Sequence, residues 1–160
     1  MNPFVNRVAE LRSLHEAFRR KGGSLYVLYG RRRLGKTRIL KEFTGGFPSV
    51  YHVADRRGER EAIAGLAQSM ARALGESSFE GLEFKDWYAL FAAFDRFRPR
   101  GRFILVIDEF QYLCETQPAM ASIIQRWWDE HWSQQDLLLV LCGSIVSMMH
   151  RETLSRSSPL

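Results

Sequence analysis

The sequence predicts an α/β domain, a mostly parallel sheet with helices on both faces, and three observations carry that reading. Strand-like and helix-like patterns alternate along the chain as α-β-α-β-α-α-β-α-β-α. The strand-like runs are continuously apolar, above all Phe103-Ile-Leu-Val-Ile107 and Leu137-Leu-Leu-Val-Leu-Cys142, as strands buried on both faces must be. A glycine-bounded loop, Gly30-Arg-Arg-Arg-Leu-Gly-Lys-Thr37, lies between the apolar run Leu25–Tyr29 and a helical pattern.

At 160 residues the chain fits one domain with its own core. A hydrophobic fraction of 46% and a charged fraction of 26% are ordinary for a globular protein. No apolar run approaches the ~20 residues that span a bilayer. The start, Met1-Asn-Pro-Phe-Val-Asn-Arg7, lacks the basic-then-apolar pattern of a signal peptide, so the expected location is the cytoplasm, away from membranes. Cys114 and Cys142 have no metal-like spacing with His15, His52, His131 or His150. Both are expected to be free thiols, Cys142 in a buried strand.

The net charge is +5, and arginine supplies 19 of the 23 basic residues. That permits a nucleic-acid partner without demanding one, because nucleotide phosphates also need cationic surroundings.

Residues 4–20 predict an extended lead-in and then an amphipathic helix, with Asn6 as N-cap and Val8, Leu11, Leu14 and Phe18 as its apolar stripe. Lys21-Gly-Gly-Ser24 ends it and releases the first strand, Leu25–Tyr29. Thr37–Phe43 is helical, with Ile39, Leu40 and Phe43 on one side; Gly45-Gly46-Phe-Pro48 breaks the chain before a second strand, Ser49–Ala54. Residues 59–74 form a helix burying Ile63, Leu66, Ala67, Met70, Ala73 and Leu74, ended by Gly75. The segment Phe84–Phe97 repeats the pattern with Phe84, Trp87, Phe91 and Phe94 and with Asp86 near its start, a stripe better suited to a core than to base stacking. After the strand ending Asp108-Glu109-Phe110, a helix over 118–132 opens at Pro118. It carries Trp127, Trp128 and Trp132, which cannot all be guaranteed a place inside, so one face is a candidate partner surface. The last strand, Leu137–Cys142, leads to Gly143-Ser144 and a short helical pattern through Met148 and Met149.

The loop reads as a phosphate-binding loop. Its glycines let backbone N–H groups turn inward, Lys36 reaches the β- and γ-phosphates, and the Thr37 hydroxyl ligates Mg²⁺. The helix behind it adds a positive N-terminal dipole. The expected nucleotide contacts are therefore Gly30, Arg31, Arg32, Arg33, Leu34, Gly35, Lys36, Thr37 and Arg38. Asp108, ending the most apolar strand, suits the Mg²⁺ shell, and Glu109 is placed to orient or deprotonate an attacking water. An acid there favours hydrolysis over phosphoryl transfer to a metabolite. Ser144, just past the last strand, is a candidate sensor of the γ-phosphate and equally a turn or cap residue.

The loop, the strand ending Ile-Asp-Glu-Phe-Gln-Tyr-Leu113, the segment Phe4-Val-Asn-Arg-Val-Ala-Glu-Leu11 and Leu141-Cys-Gly-Ser-Ile-Val-Ser-Met-Met149 together resemble the archaeal-type ATPase family. That family is similar to the STAND and AAA+ branches of the additional-strand P-loop ATPases, and the resemblance covers nearly the whole chain. It implies a three-layer P-loop NTPase with sheet order 5-1-4-3-2. Lys36 and Thr37 serve phosphate and Mg²⁺, Asp108 is the Mg²⁺ acid, Glu109 the catalytic base and Ser144 the polar sensor. It also implies that Arg7 lies near the adenine end of the nucleotide. The family usually has Gly where Asn6 stands.

In such relatives the Ser-Pro-Leu resembling Ser158-Pro159-Leu160 leads into a fifth strand, a helical lid and commonly a winged-helix domain. The resemblance thus implies that residues 1–160 are one ATPase domain cut before those parts. Leu25–Tyr29 is then expected to present an unpaired apolar edge, open to a protein partner or a second copy. Arg151 and Arg156 are the remaining candidates for an arginine finger. The expected function is an ATP-binding, ATP-hydrolysing switch. The alternative is an ATP-dependent, DNA-associated protein, motivated by Arg56, Arg57, Arg60, Arg96, Arg98, Arg100 and Arg102; a small-molecule kinase is a third reading.

Overall fold

Four apolar runs become four parallel strands: β1 (Ser24–Gly30), β2 (Ser49–Val53), β3 (Phe103–Asp108) and β4 (Leu137–Ser144), in the order β1-β4-β3-β2. The computed structural model describes residues 3–30, 35–75, 79 and 81–144, with residues 3–7 as backbone only. The observed order is the 1-4-3-2 part of the expected sheet. Arg31 to Leu34, the pattern through Met148 and Met149, Arg151, Arg156 and the tail lie outside the described residues.

The helices are α1 (Pro3–Arg19), α2 (Lys36–Thr44), α3 (Glu59–Leu74), α4 (Trp87–Phe97), α5 (Gln111–Thr116) and α6 (Met120–Glu130), with a 3₁₀ turn at Trp132–Gln134. They form two layers. Ile104, Val106, Leu138 and Val140 face α1 and α2, where Leu14, Ile39, Leu40 and Phe43 close one core. Leu105, Ile107, Leu139 and Leu141 point the other way, onto α3 to α6. Neighbouring residues of a strand thus enter different cores, which is why β3 and β4 are apolar without alternation.

Val8 and Ala73, expected on apolar faces, are exposed, and four further expectations need correction. The chain is helical from Pro3, so there is no extended lead-in and Asn6 lies inside α1 rather than capping it. Proline is tolerated in a first helical turn, where its missing N–H has no partner to lose. The aromatic helix begins at Trp87, because Asp86 caps it by accepting the Ala89 N–H at 2.8 Å, and Phe84 stays outside, packed on Phe79. The helix expected over 118–132 stops at Glu130, and Trp132 falls in the 3₁₀ turn.

The tryptophans, fourth, mostly find places inside. Trp128 and Trp132 are buried and Trp127 is half-buried. Asp95 gives two of them polar anchors, accepting the Trp132 indole N–H at 2.6 Å and that of Trp127 at 3.1 Å, and it also pairs with Arg98. A fully bonded acid makes that aromatic wall an acceptable interior.

The N-terminal strand ends are closely joined. A Cβ at Gly23 would lie 2.1 Å from the Trp132 carbonyl oxygen, so only glycine fits there, and its N–H donates to the Ser133 carbonyl. Arg102 donates to the Phe18 carbonyl at 2.8 Å, the Ala17 carbonyl at 3.0 Å, the Ser24 hydroxyl at 2.9 Å and the Gly22 carbonyl. Two of these bonds, to Phe18 and Ala17, go to carbonyls of the last turn of α1.

Both cysteines are free and buried, Cys142 within β4. Burial, with help from Glu115, pushes the Cys114 thiol up to about 12. His52 is buried against α3, 2.7 Å from the Ser69 hydroxyl, and burial lowers its imidazole to about 4. It is a neutral core residue.

Candidate active site

The C-terminal ends of parallel strands are where open α/β sheets place their ligands, because the chain leaves the sheet there and backbone N–H groups come free. Here the tips of β1, β4 and β3 lie side by side. Gly30 is paired in register with Ser144, and Ile107 with Leu141 one strand over. Gly35 ends the loop in the left-handed conformation at φ 79°, with open space around the position of a Cβ, so backbone angle rather than crowding calls for glycine. α2 starts at the next residue with no side-chain cap and no acid in its first turn, which leaves its N–H groups and positive end facing the loop. Arg38, exposed, follows in that turn.

Lys36 and Thr37 point back toward the strand tips. The Lys36 ammonium donates to the Gly30 carbonyl at 2.8 Å, bracing the two ends of the loop. The Thr37 hydroxyl donates to Oδ2 of Asp108 at 2.7 Å across 71 residues of sequence. Asp108 is 2% exposed and bonded at both oxygens: Oδ2 also accepts the Tyr51 hydroxyl at 2.6 Å, and Oδ1 accepts the Glu109 N–H at 2.8 Å.

This oxygen-only pair fits a hard divalent cation. Because the Thr37 hydroxyl gives its proton to Asp108, its lone pairs are left for a metal, and Mg²⁺ asks for one or two protein oxygens with water and phosphate for the rest. No group of three or more metal-ligating His, Cys, Asp or Glu occurs among the described residues, and such a cation needs none.

Tyr51 reaches Asp108 from β2, where it is paired with Val106 of β3. Burial first, then the hydrogen bond and charge of Asp108, push its phenol above the ordinary value and keep it a donor. Cys142, beneath the same carboxylate, is held as a thiol by burial and by Asp108. Neither was legible as a site residue. Tyr51 becomes a neighbour of Asp108 only through the β2–β3 register.

Glu109 is the only non-glycine among the described residues with positive φ, at 57°. A glutamate held there is strained, by roughly 1–3 kcal/mol, and such residues cluster where geometry serves chemistry. Its half-buried carboxylate accepts a hydrogen bond from the Gln111 amide at 3.4 Å. The same amide accepts the Ser144 N–H at 3.2 Å.

The structure thus brings together Gly30, Gly35, Lys36, Thr37, Asp108, Glu109 and Ser144. Arg7 lies on α1, whose first residues are described as backbone only, and Arg31, Arg32, Arg33 and Leu34 lie outside the described residues. Of the seven arginines that motivated a DNA reading, Arg98 and Arg102 are bound into the fold, and Arg56 and Arg57 pair with Glu115 and Asp55. No helix among the described residues is long and apolar enough to cross a membrane.

Comparison with known proteins bears on the same features. An uncharacterised protein of Methanocaldococcus jannaschii is 31% identical over 158 residues, covering 98% of this chain and 33% of that protein. A Walker-type ATPase of Pyrococcus abyssi shares the fold with a TM-score of 0.66 and 24% identity, over 91% of this chain and 47% of that one. The Aeropyrum pernix ORC1 protein, solved in complex with DNA, shares it with a TM-score of 0.55 and 21% identity, over 96% of this chain and 44% of that one. The chain therefore spans a third to about a half of these relatives. A family profile for an ATPase domain predominantly from Archaea matches residues 4–160. Since that match runs through the glycine loop, both acids and the strand that ends at Ser144, this chain belongs to that family of ATPase domains.

Proposed function

We propose that this domain binds ATP with Mg²⁺ and hydrolyses it in the cytoplasm, and that the two nucleotide states bias the position of the parts of the protein attached to it. The observation that carries the reading is the Thr37–Asp108 hydrogen bond, which joins the loop to the acid of a neighbouring strand beside a strained Glu109. Backbone N–H groups of the loop and α2 receive the phosphates, and Lys36 turns on its flexible stem from the Gly30 carbonyl to the β- and γ-phosphates. Mg²⁺ held by Thr37 and Asp108 would supply charge neutralisation for the phosphoryl transfer. Glu109 takes the proton of the attacking water, and Ser144 meets the γ-phosphate from the tip of β4. Arg7 serves the adenine end of the site.

Phosphate release in the intact protein tests this. Turnover with ATP and Mg²⁺ falls at least about tenfold when the cation is chelated by EDTA, because charge on the leaving phosphates is then unopposed. Unchanged turnover in EDTA overturns the reading.

A DNA-associated role is the second reading, favoured by the fold shared with a DNA-bound protein and by the exposed Arg60, Arg96 and Arg100. Titration with duplex DNA at two salt concentrations decides it. Phosphate-driven binding weakens steeply as salt rises, and no binding at low salt removes the reading.

A further inference from the structure

We infer that Gln111 is a positioning residue that couples the tip of β4 to the carboxylate of Glu109. The inference rests on the reading of Glu109 as the group that acts on water, and it adds a residue to which no role has been assigned. Gln111 opens α5 and is 5% exposed, one of the few buried polar side chains among the described residues. Its Oε1 accepts the Ser144 N–H at 3.2 Å and its Nε2 donates to Oε2 of Glu109 at 3.4 Å. Chemistry fixes the orientation of the amide. A backbone N–H offers only a donor and a carboxylate only acceptors, so oxygen must face β4 and nitrogen must face Glu109.

The sheet explains why a side chain is needed there. The β3–β4 pairing ends at Ile107 and Leu141, and beyond it the chain turns away at Asp108-Glu109. On the edge of β4 that β3 has left, the Cys142 carbonyl is still met by the Phe110 N–H at 2.9 Å. Ser144, two residues on, presents its N–H on the same edge because alternate residues of a strand point the same way. There the Gln111 amide receives it. The left-handed turn at Glu109 lets the chain double back far enough for this.

One planar amide therefore touches both the strand tip proposed to meet the γ-phosphate and the carboxylate proposed to act on water. A shift of the β4 tip moves Oε1, and the rigid amide carries the shift to the Glu109 carboxylate. A site that must be inert with nucleotide absent and aligned with nucleotide present gains its coupling from this contact.

Kinetics on the intact protein separate this from a purely structural role. Gln111→Leu removes both bonds. Gln111→Glu keeps an acceptor for the Ser144 N–H but replaces the donor to Glu109 with a second carboxylate. Both are expected to lower kcat about tenfold or more, since small misplacements of reacting groups cost at least that much, with the ATP Kd held within about twofold. In a Glu109→Gln background, Gln111→Leu is expected to cost no further kcat, because residues acting as a unit are non-additive.

Wild-type kcat in Gln111→Glu overturns the proposal, and so does a fall in kcat that is matched by equal losses of ATP affinity and Tm. Should Gln111→Leu fail to fold, Gln111→Glu alone carries the decision. A Glu109→Gln variant with full activity defeats the underlying reading of Glu109 instead, so the two failures are distinguishable.

Discussion

Lys36→Ala is expected to cost ATP affinity at least about a hundredfold. The ammonium is the one side-chain cation that the loop pattern aims at the β- and γ-phosphates, and charge-assisted hydrogen bonds are worth about 1.5–3 kcal/mol each. Two of them account for a hundredfold or more. The fold barely registers the change, because the bond that Lys36 makes to the Gly30 carbonyl lies at a half-buried strand tip and not in either core. Calorimetric titration with ATP and Mg²⁺, beside a thermal melt of the same variant, reads both halves. Normal affinity in a folded Lys36→Ala protein removes the assignment of the loop.

Glu109→Gln is expected to do the opposite, keeping ATP and losing turnover. The replacement preserves size and the backbone at φ 57°, but an amide cannot take a proton from water. General-base catalysis contributes about 10²–10⁴-fold, so kcat falls by about that range. The ATP Kd stays within a few-fold, since Glu109 is not among the groups proposed to meet the phosphates. Single-turnover phosphate release and equilibrium binding give the two numbers, and unchanged turnover takes Glu109 out of its role. Together the two substitutions separate binding from chemistry within one site.

Those residues were legible in the sequence because each belongs to a pattern that is local along the chain. The glycine loop is eight consecutive residues, Gly30 to Thr37, and Asp108-Glu109 closes the most apolar run. The strands were legible for a related reason. β3 and β4 are buried on both sides, and a doubly buried strand leaves a short uninterrupted apolar run, here bounded by turn residues. Helix ends were less so. Asp86 as a cap and Pro3 as a start are each one residue's chemistry against a longer apolar stripe, and the stripe drew the expected boundaries outward or inward.

Tyr51 and Gln111 were illegible for a different reason. Tyr51 lies 57 residues from Asp108, and Gln111 lies 33 residues from Ser144. A tyrosine in a half-buried strand and a glutamine at a helix start are ordinary residues until the register of the sheet is known. α5 escaped notice because six residues, Gln111–Thr116, are too few to show a helical period. The placing of Trp127 and Trp132 was illegible because their indole N–H groups are anchored by Asp95, an acid on another helix that no pattern in their own segment announces.

Arg102 gives the molecule two unlike poles. At one, its guanidinium, the glycine at 23 and the Phe103–Asp136 backbone bond fasten α1, β1, β3 and β4 to each other. At the other, beside the backbone bonds of the strand tips, side chains add the links: Lys36 from α2 to β1, Tyr51 from β2 to β3 and Gln111 from α5 to β4. If nucleotide shifts the strand tips, as proposed above, the fastened pole is the fixed point, and the motion would be delivered at the same face that takes in the nucleotide.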